Sequence, residues 1–178
     1  PNARPVHDYE SVQLLKQISA LNRGEDPVAG LLDSGPTNLF TGAAADPNSK
    51  NFNSLRKRLE RKKNSGASFL QTQMVMDPKI LERFCKEIAD PLELPTLAGV
   101  FLLKSAKNAH FINKVVPGAS IPEAILNRLE KAEDPYLEGI SIAAEQVKRF
   151  TGIAKGVHIM AIKAEHKIPE ILELAKIN

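Results

Sequence analysis

A chain of 178 residues with 43% hydrophobic side chains carries enough apolar material for one folded unit, residues 1–178, and too much for a disordered segment. Its 24 basic and 21 acidic residues leave a net charge of +3, a small excess that gives no general support to nucleic-acid binding. No apolar run approaches the roughly 20 residues that cross a bilayer, and no charged segment leads into an apolar one at the start, so a soluble cytoplasmic protein is expected.

Residues 1–5 carry no periodicity. From Asp8 onward, Val12, Leu15, Ile18 and Leu21 fall on one face of a helix that stops at Asn22-Arg23-Gly24. Residues 26–37, interrupted by glycine and proline, read as a loop. The run 39–45 is short and almost wholly apolar, the pattern of a parallel strand buried on both faces, and its small residues leave room for a flat ligand at its carboxyl end. A basic helix over 51–64 follows, with Phe52, Leu55 and Leu59 as its buried stripe. Arg56, Lys57, Arg58, Arg61, Lys62 and Lys63 crowd the rest of its surface, either as a solvated face or as cations that reach a phosphate group.

Gly66 ends that helix and Asp77-Pro78 opens another, so a buried strand is expected between them. Ala67, Phe69, Gln71, Gln73 and Val75 point one way along it, and Ser68, Leu70, Thr72 and Met74 the other. Two glutamines on one face of an otherwise apolar strand are costly unless something bonds their amides, which is a first pointer to a ligand. Ile80, Leu81, Phe84, Cys85 and Ile88 make the next helical stripe, ended by Pro91 and Pro95. The apolar run 94–103 is a third strand, giving way to Ser105 and a helix that carries Asn108 and Phe111.

Beyond the break at Pro117-Gly118, two helices over 122–132 and 135–150 follow without a strand between them. Gly139 weakens the second by roughly 1 kcal/mol against alanine, so close packing is expected to require it. A fourth strand over 156–162, with His158 read as a core histidine, and a helix over 168–176 complete the chain. Alternation of this kind defines an α/β protein with parallel strands joined by right-handed crossovers. Four strands suit a small open sheet or half of an eight-stranded barrel, and polar residues near the strand ends favour the barrel.

No complete catalytic constellation stands in the sequence. A G-x-x-x-x-G-K-[ST] phosphate loop, G-x-G-x-x-G and H-E-x-x-H are all missing, and His7, His110, His158 and His166 are too scattered to propose a metal site. Cys85, on an apolar helical stripe, reads as a structural thiol. Asp46 and Asp77 precede prolines and read as turn or cap residues. Asp46, Gln73, Asn108 and Met160 remain at strand ends, a set suited to binding an amide-bearing heterocycle rather than to proton transfer.

The ordered motifs Asp8-Tyr-Glu-Ser-Val-Gln-Leu-Leu15, Gly42-Ala-Ala-Ala-Asp-Pro-Asn48, Leu59-Glu-Arg-Lys-Lys63, Gly66-Ala-Ser-Phe-Leu-Gln-Thr-Gln73, Asn108-Ala109, Val116-Pro-Gly118 with Ile121-Pro122, and Gly139-Ile140 together resemble the methylenetetrahydrofolate reductase family. The resemblance implies a (β/α)8 TIM barrel, with this chain its second half, strands five to eight. It implies FAD as cofactor and the reduction of 5,10-methylenetetrahydrofolate to 5-methyltetrahydrofolate. The electron donor would be NAD(P)H or a redox partner protein, and the partners would include the amino-terminal half of the barrel in a homo- or hetero-oligomer.

Position by position, the resemblance places His7, Asp8, Ala44, Asp46, Arg61 and Lys62 at the flavin, with Lys62 on its phosphate. Gln73 and Asn108 match folate-binding positions, and Met160 replaces an aromatic found in some members. The family's acid that assists proton transfer, on the first strand, and its aspartate near the pterin, after the fourth strand, would both precede Pro1. The alternative, from another class, is a non-catalytic half-barrel that binds or assembles only with a separate amino-terminal half.

Overall fold

The structure is a computed structural model that describes residues 9–26 and 28–177. Helix α1 (Ser11–Leu21) buries Leu15 fully and opens with a reciprocal box, in which the Gln13 side chain accepts from the Glu10 N–H at 2.8 Å. After it, a two-residue strand β1 (Glu25–Asp26) pairs antiparallel with β2 (Gly30–Leu31), where the composition predicts only a loop. The Asp26 carboxylate makes the turn by accepting from the Val28 and Ala29 N–H groups at 2.7 and 2.8 Å, a local bond that hydrophobic periodicity does not report.

The main sheet holds β3 (Gly42–Ala45), β4 (Phe69–Met74), β5 (Thr96–Phe101) and β6 (Gly156–Met160), all parallel and ordered as they occur in the chain. Between them run α2 (Phe52–Asn64), α3 (Pro78–Phe84) continuing into a π turn at Cys85–Ala89, and then α4 (Ala106–Val115), α5 (Glu123–Lys131) and α6 (Pro135–Phe150). Helix α7 (Ile168–Ala175) follows β6. Short side chains start these helices. Asn51 accepts from the Ser54 N–H, Asp77 from Lys79, Ser105 from Asn108, and Asp134 from Tyr136 and Leu137. The predicted elements therefore stand, with boundaries moved by a few residues.

One face of the sheet meets the helices. Ala43, Ala45, Leu70, Ala98 and Val100 pack there with Leu55 and Leu59 of α2, Leu81 and Phe84 of α3, Ile140 and Val147 of α6, and Ile171 of α7. Burying large side chains such as Phe84 and Phe150 completely contributes about 1.5–3 kcal/mol each. A second cluster, Met74, Leu103, Ile112, Leu126, Leu129 and Ile142, lies where α4, α5 and α6 meet. Gly139 does require its lack of a side chain, because a Cβ there would run into the Leu103 carbonyl just beyond β5.

Among the described residues the opposite face is open over β3 and most of β4, and this corrects the expectation that the 39–45 strand is buried on both sides. In β3, Ala43 and Ala45 are buried while Gly42 and Ala44 are exposed, and in β4 the buried residues are Leu70, Thr72 and Met74. Every residue of β6 is half-buried. A period-two apolar pattern cannot tell one buried face from two when the residues on the open face are themselves small or apolar. The predicted alternation of side chains along β4 is correct, and the expected cost of buried glutamines disappears because Gln71 is exposed and Gln73 half-buried.

Candidate functional site

A cleft of about 790 Å³ wraps the outer edge of β3, reaching from α2 and the buried Ala43 and Ala45 round to the open face of the sheet. Its floor is Gly42 and Ala44 of β3, Phe69, Gln71 and Gln73 of β4, and His158 and Met160 of β6. Its wall is the side of α2 carrying Leu55, Arg58, Leu59 and Lys62, and Asp46 and Pro117 stand at its rim. Gly42 lets the Phe69 ring lie directly on β3, and a Cβ there would displace the ring. With that ring laid against β3, Phe40 stacks on it at 5.2 Å between centroids and 17° between planes.

The wall is cationic. The Lys62 ammonium donates to the Ala44 carbonyl at 2.8 Å, and burial, followed by the neighbouring Arg58 charge, pushes its pKa down. Neither cation forms an ion pair with a carboxylate among the described residues. Both influences on Lys62 penalise its charged form, and an anion in the cleft would offset them. Helical phase explains which cations reach the cleft. Lys62 is seven residues beyond Leu55, nearly the same azimuth, and Arg58 is one turn before Lys62.

At the rim, three segments are tied together by one side chain. Asn48 donates through Nδ2 to the Met74 carbonyl at 3.1 Å and to the Gly118 carbonyl at 2.9 Å. The Asp46 carboxylate accepts from the Asn48 N–H at 3.0 Å and packs against Gly118, whose φ of 79° and lack of a Cβ both suit that contact. Gln73 donates to the Pro117 carbonyl at 3.3 Å and accepts from the Met74 N–H at 2.9 Å.

The sequence-derived site is brought together in part. Ala44, Asp46, Lys62, Gln73 and Met160 share the cleft. Arg61 is exposed and stands outside the cleft lining, with Arg58 beside Lys62 instead. Asn108 also lies outside it, serving the start of α4, where its side-chain oxygen accepts from the Lys104 N–H at 3.3 Å. His7 and Asp8 lie outside the described residues.

His158, expected in the core, lines the cleft half-buried and bonds Gln71 through Nε2 at 2.9 Å, and burial holds its pKa down. Asp77 caps α3, as read from the sequence. Cys85 is buried, its thiol pushed up to about 11 by burial and then by Asp90, which suits a structural role.

A parallel four-stranded sheet with helices packed on one face and a cation-walled cleft at its edge defines an α/β chain of open-sheet or partial-barrel class. More particularly, the chain belongs to the methylenetetrahydrofolate reductase family, which it matches over residues 9–176. Among solved structures it is similar to an uncharacterized protein from Clostridium thermocellum that binds two copies of 5-methyl-5,6,7,8-tetrahydrofolic acid. The TM-score is 0.57 at 21% identity, over 82% of this chain and 54% of that one, so the chain spans about half the length of that relative. No curated protein matches the chain. The parallel four-stranded sheet is consistent with the barrel that the resemblance implies. No helix among the described residues is long and apolar enough to cross a membrane.

Proposed function

We propose that the chain supplies the cofactor and folate cleft of an FAD-dependent reductase that converts 5,10-methylenetetrahydrofolate to 5-methyltetrahydrofolate, with strands β3 to β6 as the fifth to eighth of a barrel. The observation that carries this reading is the cleft itself, where two cations without carboxylate partners among the described residues stand beside a floor bearing glutamine amides. The residues fit FAD. Lys62 and Arg58 offer charge to its pyrophosphate, and the small residues Gly42 and Ala44 leave the strand backbone open to a flat ring. Bound there, FAD supplies the hydride chemistry.

Gln73 is held at both ends of its amide and orients the pterin, with the Pro117 loop fixing its rotamer. Asp46 is the one carboxylate lining the cleft among the described residues, and its bond to Asn48 makes it a turn residue rather than a proton donor. The chain's own residues therefore bind and orient, and electrons come from NAD(P)H or a redox partner protein. Changing Gln73→Ala in the full-length protein should impair folate turnover while leaving flavin content intact; equal loss of both contradicts the assignment.

The second reading, a half-barrel that binds or assembles with a separate amino-terminal half, is favoured by the uncovered sheet face and by the outer edges of β3 and β6, which pair with no strand among the described residues. Size exclusion separates the two. A folded monomer of this chain that binds FAD argues against a required partner, whereas FAD binding that appears only on mixing with the other half supports one.

A further inference from the structure

We infer that Gln71 and His158 form a second polar subsite in the cleft, in which His158 positions the Gln71 amide to read the edge of a flat, amide-bearing heterocycle. This rests on the folate reading above and adds a specificity determinant to it. Gln71 and Gln73 share one face of β4, about 7 Å apart by the strand rise. Their amides are in different states. Gln73 spends one end on the Pro117 carbonyl and the other on the Met74 N–H. Gln71 has one bond among the described residues, to His158, 87 positions away on β6.

That bond crosses the intervening strand β5. Gln71 is in register with Leu97 and His158 with Gly99 of β5, and the two side chains meet across that strand at 2.9 Å. Gly99 itself is needed for the close approach of β4 and β5, since a Cβ there would strike the Thr72 and Gln73 carbonyls of β4. An amide nitrogen only donates, so His158 Nε2 accepts and its ring proton sits on Nδ1. The Gln71 carbonyl oxygen and second N–H are left unspent, in an exposed side chain on the cleft floor.

A held amide with one free acceptor and one free donor is the complement of a lactam or aminopyrimidine edge, the polar edge of a pterin. A ligand that covers the floor without such an edge strips water from the Gln71 amide and leaves it unpaired, and that cost carries the discrimination. His158 acts through Gln71 and is a positioning residue.

The test uses the full-length protein, with 5-methyltetrahydrofolate as the probe. Gln71→Leu should weaken its binding about tenfold, the loss expected for one good hydrogen-bonded edge, with flavin content unchanged. His158→Phe should weaken it less, and the double variant should match Gln71→Leu alone, since the ring acts only through the amide. The ¹⁵N signals of His158 should report a proton on Nδ1 and should move when 5-methyltetrahydrofolate is added to the parent but not when it is added to Gln71→Leu, a response that a purely structural bond does not produce. Should Gln71→Leu fold poorly, Gln71→Glu keeps the length and removes the donor, and should show the same weakening. Binding by Gln71→Leu within twofold of the parent, with Gln73→Ala impaired, overturns the subsite and leaves the folate reading standing. A parent protein that binds no 5-methyltetrahydrofolate overturns both.

Discussion

Replacing Lys62 by alanine tests the cationic wall directly. Among the described residues its ammonium has a single partner, the Ala44 carbonyl, and its charge is opposed by burial and by Arg58. The substitution removes a strained cation and leaves a carbonyl that water can reach, because Ala44 is exposed. Folding stability should therefore change little. Binding of a phosphate-bearing cofactor should change more, since a charge-assisted hydrogen bond contributes about 1.5–3 kcal/mol. Half-exposure places Lys62 at the lower end, about 1.5 kcal/mol or roughly tenfold in Kd. The assay is FAD retention by absorbance after gel filtration at low and high salt, with Arg61→Ala as the control. Lys62→Ala should lose flavin and Arg61→Ala should keep it. Equal retention by Lys62→Ala and the parent at both salts would refute the phosphate assignment.

Gly139→Ala sets a helix preference of about 1 kcal/mol for alanine against a collision with the Leu103 backbone; a net loss of about 2 kcal/mol in urea unfolding is expected, and a gain would refute the packing argument. Cys85, buried with its thiol raised to about 11, should resist thiol reagents at pH 8 in the folded protein and react at once on denaturation. Burial lowers the His158 pKa, so the unfolded chain binds that proton more readily. The stabilising contribution is complete above the unfolded value near 6.5 and is lost as pH falls through the lower folded value. His158→Phe should flatten that part of the stability profile, as followed by denaturant midpoint against pH.

The alternation of apolar runs and amphipathic helices made the four strands and their parallel order legible, and the period-two reading of β4 placed Gln71 and Gln73 on one face correctly. What periodicity could not supply was the environment of that face. Residues such as Gly42, Ala44 and Phe69 look alike whether covered or open, and so the strand appeared buried on both sides. Arg58 was legible in principle, because its phase relative to Leu55 and Leu59 turns it toward the cleft while Arg61 turns away. The Gln71 to His158 bond was not, since it joins residues 87 apart across a third strand, and no local signal encodes such a meeting.

The strand order has a consequence for how the protein is made. Each strand of the main sheet pairs with the one synthesised just before it, so a chain emerging from the ribosome finds the edge of β3 ready for β4, then β4 for β5. Sequential accretion of this kind keeps the loop closures short through β5, whereas β6 joins only after three helices have been made. The exception is α6, which reaches back to α3 and packs its Gly139 under the end of β5. Arrival of that helix locks the earlier layers in place, and the cleft floor gains its last wall only when His158 is threaded in at the final strand.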